Sequence, residues 1–156
     1  MYESLTRQLA ALLEGETNAV ANLANASALL NDSLERINWV GFYLFDGTEL
    51  VVGPFQGRTA CVRIALGRGV CGTAAAERRT LVVPNVHAFA GHIACDERSQ
   101  SEVVVSLVLD GQLLGVLDVD SPELNRFDEA DAAGLELFAA ELVRHLSPAS
   151  LASAGR

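Results

Sequence analysis

After residue 33 the hydrophobic pattern of this chain changes period, and that change limits what it can fold into. Up to there the apolar residues fall three and four apart: Leu9, Leu12 and Leu13, then Val20, Leu23, Leu29 and Leu30. That spacing predicts helix over about residues 2–33, with a break at Gly15-Glu16-Thr17. Beyond it the chain reads as short strands. Ile37 to Phe45 and Leu50 to Val52 join through the turn dipeptide Asp46-Gly47, a third strand carries Cys61, Arg63 and Ile64, and Leu81 to Val83 runs up to Pro84. Gly69-Val70-Cys71-Gly72-Thr73 reads as a glycine loop opening a short helix. Residues about 85–101 form a polar loop, longer than a compact domain ordinarily leaves without a use. A hairpin over about 102–109 and 112–120 turns at Asp110-Gly111, and helical spacing returns from Asp128, as N-cap, to Leu146. Helices flanking an antiparallel sheet make an α+β domain. It is expected as one unit over 1–146, with the Ser- and Ala-rich stretch 147–156 as a flexible tail.

Charge narrows the partners. Lys and Arg number 11 against 20 Asp and Glu, a formal net charge of −9. Such a surface repels phosphate backbones, so nucleic acid is not the expected partner. No basic leader followed by an apolar stretch opens the sequence, and no apolar run nears the roughly 18 residues of a membrane span. Three cysteines are too few and too unbalanced for an extracellular disulfide framework, so a reducing cytoplasm is the simplest home.

Two strands carry more than core packing asks for. Alternation in Asn38-Trp39-Val40-Gly41-Phe42-Tyr43 puts Trp39, Gly41 and Tyr43 on one face, where the glycine leaves a slot for a ligand or a neighbouring backbone. The plainer reading is an aromatic core face. Leu113 to Asp120 is apolar on both faces until Asp118 and Asp120, two residues apart and so on one side. Paired carboxylates raise each other's proton affinity, which would leave one of them an acid. Alternatively the strand has reached solvent there. Glu102 could join them only in one register. A two-residue Asp110-Gly111 turn on regular strands sets Glu102 opposite Val119, pointing away, whereas a three-residue turn with a glycine bulge brings all three acids to one face.

The thiols leave several readings open. Cys95 lies in the polar loop, where a sulfur is accessible, whereas Cys71 opens a helix, whose N–H groups favour a thiolate. By that physics Cys71 is the better-activated nucleophile. All three cysteines could equally be packed and inert. A metal site from His87, His92 and Cys95 lacks any Cys-x-x-Cys or His-Glu-x-x-His spacing, and no metal is expected.

Taken in order, Asn38 to Tyr43, Gly53-Pro54-Phe55-Gln56-Gly57, Gly69-Val70-Cys71-Gly72, Gly91-His92-Ile93-Ala94-Cys95-Asp96 and Ser101-Glu102 resemble the free methionine-(R)-sulfoxide reductase family, enzymes of the GAF fold. The resemblance spans about residues 15–146 and takes in all three cysteines. One departure is Ser106, where the family usually has proline, a change that could loosen the strand locally. The resemblance implies Cys95 as attacking thiol, Cys61 as resolving thiol and Cys71 as a secondary partner. It implies Trp39 and Tyr43 as walls for the substrate's methyl and side chain, with Glu102, Asp118 and Asp120 holding its polar end and sulfoxide, Asp120 being the main donor to oxygen. No prosthetic group is required, a thioredoxin-type dithiol restores the thiols, and a homodimer is expected by analogy with the fold. The rival is a ligand-sensing GAF module, because Asn125-Arg126-Phe127-Asp128-Glu129 resembles a signature of cyclic-nucleotide GAF domains. The same residues also read as a capped helix start.

Overall fold

The computed structural model describes residues 1–93 and 95–154. Helix α1 (Tyr2–Leu13) buries Leu5, Leu9 and Leu13, and α2 (Ala19–Ser33) buries Ala19, Leu23, Ala26 and Leu30. The three-and-four spacing thus holds, but Leu12 and Val20, counted above with the apolar face, lie about half exposed on the other side. Asn18 caps α2 by accepting from the Ala21 N–H at 2.9 Å, a contact worth about 1 kcal/mol.

Strands β1 (Trp39–Phe45), β2 (Glu49–Gly57) and β3 (Arg63–Ala65) follow, then α3 (Gly69–Glu77), β4 (Leu81–Val83) and a single 3₁₀ turn at Val86–Ala88. Strands β5 (Ser101–Leu109) and β6 (Gln112–Ser121) form the hairpin, and α4 (Glu129–Val143) and α5 (Pro148–Ala154) close the chain. The sheet has six strands in the order β3-β2-β1-β6-β5-β4, every neighbouring pair antiparallel. Cys61, expected on the third strand, lies in the segment before it. The stretch read as a loose tail is helical over Pro148–Ala154, with Leu151 against the main core; residues 155 and 156 lie outside the described residues.

Alternation along β1, β5 and β6 sorts the interior into two cores. Val40, Phe42, Val103, Val105, Leu117 and Val119 face α1, α2 and α4. Trp39, Tyr43, Val104 and Val116 face the opposite way, toward α3 and β4. Asp118, Asp120 and Glu102 belong by alternation to this second side.

Register decides that placement, by a route the sequence reading did not foresee. The turn has two residues, Asp110 and Gly111, both at positive φ (51° and 78°), the backbone of a tight hairpin. Leu109 therefore pairs with Gln112 and Val108 with Leu113, but Leu107 pairs with Gly115, leaving Leu114 as a bulge. This extra residue, inside β6 rather than in the turn, shifts the count by one and sets Glu102 opposite Asp120. Gly115 follows because β6 approaches β1 closely here: a Cβ on it would run into the Tyr43 carbonyl. Ser106 does not loosen β5. It keeps its partner Val116, and its hydroxyl donates to the Ala74 carbonyl at 2.8 Å, tying the strand to α3.

Candidate active site

Strand pairing builds the site's floor. Across β1, Trp39 pairs with Asp120, Gly41 with Asp118 and Tyr43 with Val116; across β5, Glu102 pairs with Asp120 and Val104 with Asp118. Two carboxylates thus lie side by side, with the third one residue pair along the same face. Glu102 and Asp118 are buried, at 7% and 4% exposure, so the strand has not emerged into solvent at Asp118. Asp118 Oδ1 and Asp120 Oδ1 are enclosed without a hydrogen-bond partner among the described residues. Orphaned buried oxygens of this kind are costly and rare outside functional sites.

Burial raises the proton affinity of Asp118 well above the usual carboxylate range, and the charges of Asp120 and Glu102 raise it further. Asp120 shifts the same way, through burial first and Glu102 second. Both shifts favour the protonated form, which disposes this pair of aspartates to hold a proton that it can donate.

Aromatic rings make the wall. Trp39 stacks on Tyr43 at 5.7 Å between centroids and on Phe55 at 5.1 Å, and its indole N–H donates to the Arg58 carbonyl at 3.1 Å. Phe55 and its own backbone occupy the space beside Gly41. The slot read into β1 therefore admits a neighbouring strand. Phe55 was not singled out in the sequence, since nothing in β2 marks it as facing Trp39.

The sulfurs divide sharply. Cys61 and Cys95 are joined in a disulfide, their Cα atoms 5.5 Å apart, well within the span such a bridge needs. Cys71 is a buried free thiol whose Sγ lies 3.9 Å from Glu102 Oε2. Burial pushes its pKa well up, and the negative charges of Asp118, Glu102 and Asp120 push it further. The expectation that a helix N-terminus makes Cys71 the activated thiol is thus corrected. Burial, with three carboxylates beside it, outweighs the partial charge of one helix end.

A cavity of about 50 Å³ joins these parts, lined by Trp39, Tyr43, Cys71, Cys95, Glu102, Asp118 and Asp120 together with His92, Ile93, Asp96 and Ser99. Of the eight residues to which the resemblance gave a role, Cys61 alone stands outside the lining, tethered to it through Cys95. His87, His92 and Cys95 do not assemble as a ligand set, because the Cys95 sulfur is committed to Cys61 and the two rings meet edge-on at 6.2 Å. Donor atoms of Cys71, Glu102 and Asp118 do lie within 4.8 Å of one another, the anionic floor again rather than a separate centre.

The segment 125–129 has structural work instead. Asp128 and Asp131 form a reciprocal capping box at the start of α4. Arg126 lies over the Phe127 ring at 5.1 Å and pairs with Asp131 at 3.4 Å. No helix among the described residues is long and apolar enough to cross a membrane.

Comparison with known proteins agrees with this architecture. The GAF domain family matches residues 5–146. The Free methionine-R-sulfoxide reductase of Escherichia coli is 51% identical over 146 residues, covering 94% of this chain and 88% of its own length. Among solved structures, the fRMsr of Staphylococcus aureus in complex with substrate superposes with a TM-score of 0.89 at 52% identity, covering 94% of this chain and 95% of that one. The free methionine-R-sulfoxide reductase of Neisseria meningitidis in complex with its substrate gives 0.90 at 44% identity, covering 99% and 92%. A GAF domain carrying a cysteine pair at the mouth of an acidic, aromatic-walled cavity, at about half identity to these proteins over nearly its whole length, belongs to the free methionine-R-sulfoxide reductase family.

Proposed function

We propose that this chain reduces free methionine-(R)-sulfoxide to methionine at the cavity between Cys95 and the three carboxylates. The observation that carries the reading is the Cys61–Cys95 disulfide, whose Cys95 end lines the same cavity as Asp118, Asp120 and Trp39. It is what the enzyme looks like after one turnover. A cavity of about 50 Å³ has room for water but not for an amino acid. In the reduced enzyme the Cys95 segment must therefore draw back before substrate enters.

The Cys95 sulfur attacks the sulfoxide sulfur while a protonated carboxyl, Asp120 in this account, donates to the sulfoxide oxygen. That oxygen passes to Cys95 as a sulfenic acid and methionine leaves. The Cys61 thiol then displaces it as water and forms the disulfide. A thioredoxin-type dithiol, exchanging in two steps, returns both thiols and is itself oxidised. Each turnover consumes one sulfoxide and one dithiol and yields methionine, water and one disulfide. Cys71, held protonated, stands by as a secondary thiol. No prosthetic group enters, and a reducing cytoplasm suits the cycle.

Recognition follows from the orphaned oxygens. Asp118 Oδ1 lacks a partner that a substrate ammonium can supply, and Asp120 Oδ1 one that the sulfoxide end can supply. A site with unpaired buried acceptors rejects an analogue lacking the donor by orders of magnitude. Incubation of the reduced enzyme with dithiothreitol and racemic methionine sulfoxide, resolved by chiral chromatography, is expected to consume the R epimer alone. N-acetyl-methionine-(R)-sulfoxide should react at least about 100-fold more slowly. Equal loss of both epimers, or equal turnover of free and acetylated substrate, would overturn the reading.

A further inference from the structure

We propose that Asn38 is a positioning residue for the chemical step, fixing the loop that carries Cys95 to the strand that carries the carboxylates. The inference rests on the reductase reading above. Asn38 immediately precedes β1, and its backbone N–H donates to the Asp120 carbonyl at 2.9 Å. Its side-chain Nδ2 donates to Asp96 Oδ2 and to Ser99 Oγ, each at 3.1 Å. One residue therefore joins the neighbour of the attacking sulfur to the strand of the acid.

The loop's bonding is lopsided around Cys95. On the C-terminal side Asp96 accepts from the Arg98 backbone N–H at 2.9 Å and pairs with the Arg98 guanidinium at 2.8 Å, while the Gln100 N–H donates to the Ser121 carbonyl at 2.7 Å. On the other side, among the described residues, the Cys95 N–H donates to the Ile93 carbonyl and the His92 N–H to the Phe89 carbonyl, each at 3.1 Å and both within the loop itself. Asp96 is thus the fixed point beside Cys95, which lines the cavity while its sulfur is bonded to Cys61. Its pairing with Arg98 holds its carboxyl down at about 2, so Asn38 faces a permanent anion and the bond between them is charge-assisted. Asn38 Oδ1, meanwhile, is enclosed with no partner among the described residues. An asparagine kept only for packing would not leave that acceptor stranded. A displacement of about 1 Å at a reacting atom can cost about 100-fold in rate, which is the scale at which this anchor acts.

The test compares Asn38→Asp, Asp96→Asn and the double variant in single turnover without reductant, measuring the rate of methionine formation against substrate concentration. Asn38→Asp sets two carboxylates face to face and should cut the limiting rate about 30-fold, with half-saturation moved less than about 3-fold. Adding Asp96→Asn reverses donor and acceptor and should restore the rate to within about 5-fold of wild type. Should Asn38→Asp fail to fold, Asp96→Ala, which removes the acceptor and leaves β1 unaltered, is expected to show the same loss of rate at unchanged half-saturation. A limiting rate within 2-fold of wild type in the single variants, no recovery in the double, or a change confined to half-saturation overturns the proposal. A wild-type protein without methionine sulfoxide reductase activity would instead remove the reading on which it rests.

Discussion

Cys95→Ser will reduce no methionine sulfoxide with any reductant, while Cys61→Ser will complete one turnover and then depend on the reductant supplied. The asymmetry follows from geometry. Cys95 lines the cavity and Cys61 does not, so only the first can reach the substrate sulfur. Loss of an attacking group of this kind costs at least about 10⁴-fold in turnover. In Cys61→Ser the sulfenic acid on Cys95 loses the resolving thiol that the native bridge supplies. Dithiothreitol, small enough to enter, should resolve it directly and sustain turnover. Thioredoxin attacks a disulfide and should support less than about a tenth of the wild-type rate. A sulfenic-acid probe should label Cys95 in that variant and nothing in Cys95→Ser. Labelling of Cys71 in its place would reverse the assignment of the nucleophile.

Asp118→Asn should make the protein more stable and nearly inactive. The folded state raises the carboxyl's proton affinity well above its ordinary value, chiefly by burial. Between the unfolded pKa of about 3.9 and the higher folded one, the fold retains a proton that the unfolded chain releases. Stability therefore falls as pH rises through that interval, so the site costs more at pH 8 than at pH 4. An asparagine of the same shape carries none of it. Such a relief is typically worth about 1–2 kcal/mol, which in a chain of this size raises Tm by roughly 3–6 °C. The gain should be largest at pH 8 and shrink toward pH 4, as followed by circular dichroism. Turnover should fall at least about 100-fold, since a neutral amide neither grips an ammonium nor shares a proton with Asp120. A Tm unchanged at pH 8, or a gain that grows on acidification, would show that Asp118 is not held under strain.

The helices and hairpins were legible because a period of three and four, then of two, is written directly in the apolar residues. The shared face of Asp118 and Asp120 was legible for the same reason. The face of Glu102 stayed open between two registers and its role came only from the resemblance, because its alignment depends on Leu114, and a bulge at one leucine in an apolar run leaves no local mark. The state of Cys71 was misread by local reasoning. Its helix position is a sequence property, but burial dominates its state, and the carboxylates that add to it arrive from β5 and β6, whose register that bulge sets. The tie between Asn38 and Asp96 spans 58 positions along the chain, and no pattern near either residue announces it.

One oxygen passes from a free sulfoxide to the Cys95 sulfur, and the Cys61–Cys95 bridge records that transfer. Fully reduced protein, freed of reductant and mixed with excess racemic methionine sulfoxide, is therefore the decisive sample, assayed for methionine by chiral chromatography and for cross-linked peptides by mass spectrometry. The expected result is one methionine per chain, drawn from the R epimer, with a peptide joining Cys61 to Cys95. Methionine formed while both cysteines remain thiols, or a Cys61–Cys95 bridge appearing with no methionine released, would contradict it.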